Sequence, residues 1–337
     1  DMVSDDNGYN WTGNSLDYTD RSQTSLECQM VWNDLYSMVF AANNVIAGFN
    51  AETTDATEQY YLAQGLGARA FAYWVMAQLY QYNYVGNESK PCVPLITEKN
   101  MEEAATVGAP RATVEAVYTQ ITTDLSSAIA LLQSAAKSKV TRGTDKRYIS
   151  LGVAYGLSAR TYLAMHKYAE AAAAASNAIT ESKSEGLQPS NLLTGNKPAF
   201  WNIEETNWMW GIVVNETDEV VSSGIVNWPS HMGSLNYGYA NFSKGRMINK
   251  KLYDTIKDGD ARKSWWLATD LKPHDKAYLT DAQQKFVAAK GYGAYTQVKF
   301  SSYNNVVGNS INANDIPLMR IEEMYLIKAE GEAMSGG

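Results

Sequence analysis

The chain has 337 residues, 45% hydrophobic and 19% charged, which is the composition of a globular protein long enough for one large core or two. Its net charge is −8, and no long basic block offsets it, which argues against phosphate backbones and anionic lipid as partners. No run of 18 apolar residues is present, so no segment reads as a transmembrane helix.

In chain order, the first half reads as helix. Val31, Leu35, Met38, Ala42, Val45 and Phe49 keep helical spacing, as do Leu62, Leu66, Ala70, Tyr73, Ala77 and Tyr80. A third helix carries Val114, Val117, Ile121, Leu125, Ala128 and Leu132, opened by Thr113 with Glu115 in its first turn. A fourth is expected from about Tyr148 to Met165. A fifth, with Tyr168, Ala172, Ala175 and Ile179, follows a short turn at His166–Lys167.

One stretch is written twice. GLGARAFAYW (65–74) returns as GLSARTYLAM (156–165), with Gly65, Leu66, Ala68, Arg69 and Phe71 matched by Gly156, Leu157, Ala159, Arg160 and Tyr162. Small residues at Gly156, Ala159 and Ala164 facing the alanine-rich EAAAAASNAI allow close helix packing of the tetratricopeptide kind. Each copy is then expected to be the inner helix of a hairpin. Its aromatic would fill the groove, and its arginine would reach a carboxylate or carbonyl of the next hairpin.

From about 184 to 315 Gly, Asn, Ser, Trp and Tyr dominate and periodic stretches are short. WMWGIVV (208–214) reads as one strand, with Trp208 and Trp210 on one face, and TQVKF (296–300) as a second. RMINKKLYDTIKDGDAR (246–262) reads as a short helix ended by Asp258–Gly259–Asp260. IPLMRIEEMYLIKAEGEA then returns to helix. The fold class expected is mainly α: tetratricopeptide-like helical hairpins (an α/α superhelix) over about 22–183, a large irregular, loop-rich insert over about 184–315, and a returning scaffold helix over about 316–334. A long irregular stretch inside a compact domain is usually functional.

Catalytic patterns are absent. There is no G-x-S-x-G, H-E-x-x-H or G-x-x-x-x-G-K-[ST], and His166, His231 and His274 are scattered. No pair among the 36 acids stands out as a glycosidase pair. SDDNG (4–8) lacks the closing glutamate of a calcium loop and reads as a turn or cap, so no cofactor is expected, a structural calcium being the one metal considered. Cys28 and Cys92 make no disulfide framework and match no zinc spacing.

The aromatic content is unusual: 9 Trp and 22 Tyr against 7 Phe. Trp and Tyr combine a flat apolar face with a polar handle, which suits half-exposed contact surfaces. Two loop-like clusters hold many of them. GYNWTGNSLDYTDR (8–21) brings Trp11 and Tyr18 beside Asn14 and Arg21. VNWPSHMGSLNYGYANF (226–242) brings Trp228, His231, Tyr237, Tyr239 and Phe242 beside Asn227, Asn236 and Asn241. Aromatic planes can stack on the C–H faces of sugar rings while amides and charges take the hydroxyls. The candidate ligand-binding residues are therefore Trp11, Asn14, Tyr18, Arg21, Trp228, His231, Asn236, Tyr237 and Tyr239. The Trp265–Trp266 and Trp208/Trp210 pairs are weaker candidates, and packing of the loops onto the helices is the alternative for every one.

Several stretches resemble, in order, the SusD/RagB family of outer-membrane nutrient-binding lipoproteins: SDDNGYNW; VWNDLYSMVFAANNVI with Trp32, Tyr36, Asn43 and Asn44; GARAFAYWVMAQLYQYNYVG followed by CVPLIT; VYTQITTDLSSAIALL; YDTIKDGDAR; and Arg320, Glu323, Tyr325, Leu326, Ile327, Ala329 and Glu330 in the last helix. Gly331 departs from the alanine common there. The resemblance implies four tetratricopeptide-like hairpins with a ligand-binding insert, a single domain over 1–337, and a cell-surface, outer-membrane location through an N-terminal lipid anchor that this chain lacks. It also implies delivery of an oligosaccharide or polysaccharide to a SusC-like TonB-dependent transporter, with no catalysis and no nucleic acid. Family members usually continue past the last helix, so the chain is expected to be shortened at both ends. Alternatives are a peptide-binding member of the same family, a helical-repeat scaffold without a small ligand, and a polysaccharide hydrolase.

Overall fold

The computed structural model describes residues 26–190, 200–222, 227–241 and 245–336. Trp11, Asn14, Tyr18, Arg21, the SDDNG stretch and Phe242 lie outside them. The chain divides into two compact units: one takes in described residues 26–188 and 319–336, the other 189–318. No described helix is long and apolar enough to cross a membrane.

The first unit is helical. α1 (Leu26–Ala47), α2 (Ala56–Leu79), α4 (Val114–Lys137), α5 (Leu151–Ala164), α6 (Tyr168–Ser184) and α11 (Ile321–Met334) pack in succession; a short α3 (Met101–Val107) separates two strands, β1 (Pro91–Pro94) and β2 (Arg111–Thr113), paired antiparallel. The helix starts follow local chemistry. The Asp55 carboxylate accepts the Thr57 and Glu58 N–H groups, and the Thr113 hydroxyl accepts that of Ala116, as its position ahead of the apolar run indicated. The turn between α5 and α6 places His166 at φ 55°, exposed and stacked on Tyr168.

The repeat is structural. α2 packs on both α1 and α4, and α5 on α6, α4 and α11. Arg69, 3% exposed, donates from Nε and Nη2 to both Asp124 oxygens at 2.8 Å and from Nη1 to Asn43 Oδ1 at 2.9 Å, and it also pairs with Glu98. Arg160 forks onto Glu323 of α11, with both bonds at 2.6 Å, and its guanidinium lies 5.6 Å from the centroid of Trp74. Both arginines thus clamp a neighbouring helix, as the repeat suggested.

Two details differ from the sequence expectation. Phe71 and Tyr162 are only half-buried, because the core positions beside them go to Ala70, Ala72, Tyr73 and Thr161. The close approach of α5 to α6 is made at Gly152, where a Cβ would lie 3.0 Å from Ser182 Oγ; Gly156 turns instead toward Met319 and Met324. α5 is packed on more than one side, so its small residues are shared between partners.

Gly331 has a physical reason. A Cβ there would sit 2.6 Å from the Tyr168 carbonyl oxygen and 3.0 Å from Ala172 Cβ, so α11 and α6 touch backbone to side. Alanine is worth about 1 kcal/mol over glycine inside a helix, whereas overpacking costs about 1–3 kcal/mol. Gly331→Ala is therefore expected to lower stability in urea unfolding. A stabilised variant would show that α11 shifts freely on α6.

The second unit holds β3 (Trp208–Ile212), β4 (Ile316–Arg320, whose last two residues lead into α11), and short helices α7 (Glu219–Ser222), α8 (Trp228–Met232), α9 (Lys250–Thr255) and α10 (Asp281–Lys290). Trp208 and Trp210 are buried, and so is Met209 between them. Residues 296–300 are not a strand: Thr296 and Gln297 make only isolated bridges to Met247 and Trp266. The helix expected over 246–262 is confined to α9, ending before Asp258, with a 3-10 turn at Ala261–Trp265. α10 carries no strong apolar stripe, but Thr280 and Gln283 form a capping box and Gly291 closes it in the left-handed region. Its Val287 joins Leu235, Leu267, Leu279, Tyr292 and Val298 in the core of this unit.

Candidate functional site

The 227–241 segment is irregular yet heavily braced. Asn227 caps α8, its Oδ1 accepting the Ser230 N–H at 3.1 Å and its Nδ2 donating to the Val220 carbonyl. The chain then turns back on itself. Gly238 is required there, because a Cβ would fall 2.6 Å from Ser230 Cα, and the Tyr239 N–H donates to Ser230 Oγ at 3.0 Å. Residues 302–312 hold the other side: the Ser302 hydroxyl and the Gly308 N–H donate to the Leu235 carbonyl, the Tyr237 N–H donates to the Asn309 carbonyl, and Asn312 Nδ2 donates to the Tyr237 carbonyl. Side-chain amides and hydroxyls do here what a sheet ladder does elsewhere.

The sequence candidates within the described residues can now be placed; Trp11, Asn14, Tyr18 and Arg21 lie outside them. Tyr237 stands out from the braced loop, 43% exposed. His231 and Tyr239 are half-buried and meet ring to ring, with centroids 4.8 Å apart. Trp228 is half-buried one helical turn from His231, in edge contact with Phe300 at 5.3 Å. Its indole N–H is buried without a hydrogen-bond partner among the described residues, so its exposed part is hydrocarbon edge and not polar handle. Asn236 does not fit a ligand contact. It is 1% exposed and donates to Asn312 Oδ1, which makes it a brace of the loop. Burial, and then the nearby Arg246 charge, lower the His231 pKa, so the imidazole is neutral at pH 7. Arg246 Nε donates to the His231 carbonyl at 2.7 Å, fixing α8 from below.

An adjoining group escaped the sequence reading. Lys299 Nζ lies 4.5 Å from the Phe200 centroid, 4.6 Å from that of Trp265 and 5.0 Å from that of Phe300; Phe200 and Phe300 meet edge to face at 5.4 Å. A cation set among three aromatic faces is held by their quadrupoles. Trp228 and Lys299 therefore flank the same Phe300 ring. These residues are far apart in sequence, and no local spacing links them. The one hint was the Trp265–Trp266 pair.

The residues that carry the family resemblance have a different job. Tyr36 Oη donates to the Pro94 carbonyl at 2.7 Å, Asn43 Nδ2 and Tyr73 Oη donate to that of Ile96, and Arg69 joins Asn43 to Asp124. They tie α1 and α2 to the segment after β1.

Residues 1–163 match a family model of SusD-like proteins described as "Starch-binding associating with outer membrane". No curated protein matches the chain. Among solved structures it is similar to a SusD-like carbohydrate binding protein from Bacteroides vulgatus, at 22% identity over 91% of this chain and 58% of that one, TM-score 0.66. It is also similar to a SusD superfamily protein from the same organism (18% identity, 93% and 64% covered, TM-score 0.67). A third is a laminarin binding SusD-like protein (19% identity, 89% and 66% covered, TM-score 0.57). The chain spans about three fifths of the length of these proteins. The first 163 residues thus resemble the SusD-like family, and the chain shares the mainly helical fold of these solved structures.

Proposed function

We propose that this protein is a non-catalytic glycan-binding protein of the outer-membrane surface. It holds an oligosaccharide or polysaccharide on the aromatic surface of the 228–239 loop and passes it to a SusC-like TonB-dependent transporter, with an N-terminal lipid as its anchor. The observation that carries the reading is the exposed Tyr237 beside the His231–Tyr239 pair and the Trp228 edge, all on a loop whose backbone is braced on two sides. A braced aromatic surface binds without paying to order itself, and stacking gives contacts weak enough to release cargo. The family description and the laminarin-binding relative support a carbohydrate ligand.

Titration calorimetry against a panel of soluble polysaccharides, with a peptide mixture alongside, tests it. Saturable heat with one glycan class is expected, without release of product. Tyr237→Ala is expected to weaken that binding about tenfold, or roughly 1.4 kcal/mol, with thermal stability unchanged because the ring is exposed. Wild-type affinity in this variant would remove the surface from consideration. Heat with peptides alone would point to the peptide-capturing reading.

A further inference from the structure

The helical unit contains a cavity of about 430 Å³ between the start of α1, the end of α2 and the β1–β2 pair. That is within the range of small-molecule sites, about 300–1,000 Å³. Its aromatic wall is Trp32. The ring is held by Tyr36, with centroids 4.9 Å apart, and by Tyr80 edge-on at 5.0 Å, so the platform exists before any ligand arrives. Tyr80 Oη donates to the Cys28 carbonyl at 2.8 Å and joins the two helix ends that frame the opening.

The polar groups are equally defined. Arg111 donates from Nε to the Cys92 carbonyl and from Nη2 to the Pro91 carbonyl at 2.8 Å, which fixes the guanidinium against the strand. Its Nη1 makes no hydrogen bond among the described residues, and neither does the exposed Asn33 amide. Arg111 is the one charged group among the described residues that line the cavity. A packing void would be small and apolar. This one is open and joins an aromatic face, an amide and a guanidinium with an arm to spare.

We infer that this cavity binds a single sugar ring carrying a carboxylate, a uronate, which stacks on Trp32, bonds Asn33 through a hydroxyl and pairs its carboxylate with Arg111. Charge-assisted bonds to arginine are about twice as strong as neutral ones, so the acidic sugar is preferred over its neutral counterpart. The site is separate from the 228–239 surface, which belongs to the other unit, and stands whether or not that surface binds glycan.

Cys28 lines the cavity and is exposed, whereas Cys92 is buried with its thiol pKa raised by burial; neither is in a disulfide. Alkylation of Cys28 by iodoacetamide, followed by peptide mass spectrometry, therefore reads occupancy locally, with Cys92 as the slow internal reference. Methyl galacturonide is expected to slow the reaction at Cys28 saturably, at concentrations at least tenfold below those needed for methyl galactoside. Asn33→Ala should weaken protection several-fold without harm to the fold, since the amide is exposed and has no partner among the described residues. Arg111→Gln should abolish the preference for the acid, and Tyr237→Ala should leave protection intact. Absence of protection by either sugar would overturn the site, and equal protection by both would overturn the carboxylate assignment.

Discussion

Replacing Arg69 by methionine is expected to destabilise the helical unit by about 3–5 kcal/mol, the usual consequence of removing one partner from a buried ion pair. Asp124 is 2% exposed and both its oxygens accept from Arg69, so the variant leaves a carboxylate buried with Gln120 as its one remaining side-chain donor. The loss is not local. Arg69 also bonds Asn43 of α1 and Glu98 of the segment after α2, and three parts of the unit come apart at once. Lysine cannot substitute, because a single ammonium cannot reproduce the fork. Urea unfolding followed by far-ultraviolet circular dichroism would measure the effect. Adding Asp124→Asn to Arg69→Met should recover part of the stability by removing the stranded charge. No recovery would mean that the packing of the arginine, and not its charge, holds the helices.

The second large effect is expected at Asp315, in the other unit. It is 8% exposed, and its two oxygens accept the Ile203 N–H at 2.8 Å and the Val214 N–H at 2.9 Å, bracketing β3 at both ends. Asp315→Ala strands two backbone donors, each costing about 1–3 kcal/mol. Asp315→Asn keeps one acceptor and turns an NH₂ toward the other donor, so its loss should be smaller. Tryptophan fluorescence is weighted toward this unit, which holds Trp201, Trp208, Trp210, Trp228, Trp265 and Trp266 against Trp32 and Trp74 in the described helical unit. The expected result is an early fluorescence transition in Asp315→Ala, with the far-ultraviolet transition of the helical unit little changed. Equal transitions in the alanine and asparagine variants would show that the carboxylate bonds matter less than the volume filled.

The Lys299 group and the aromatic loop show what kind of information sequence carries. Helices α1, α2, α4, α5, α6 and α11 were legible because apolar residues recur at helical spacing, and caps such as Thr113 lie beside the residues they serve. The doubled GL-x-AR-x-[FY] stretch announced helix contacts because glycine and arginine have few other uses on a buried helix face. The aromatic cluster at 226–242 was visible as composition, but the roles within it were not. Asn236 and Tyr237 are adjacent, yet one is a buried brace and the other stands out of the loop.

What the sequence by itself determined, then, was the helical scaffold, its close-packed hairpins and the presence of an aromatic loop, all of which depend on neighbours within a few residues. The tertiary structure alone decided the partners: Asp124 and Glu98 for Arg69, Glu323 for Arg160 across 163 positions, the three rings around Lys299, and the cavity that sets Trp32 beside Arg111. Such pairs are made by chain segments that meet only after the helices have stacked, and no periodicity records which side chains will face each other across that contact.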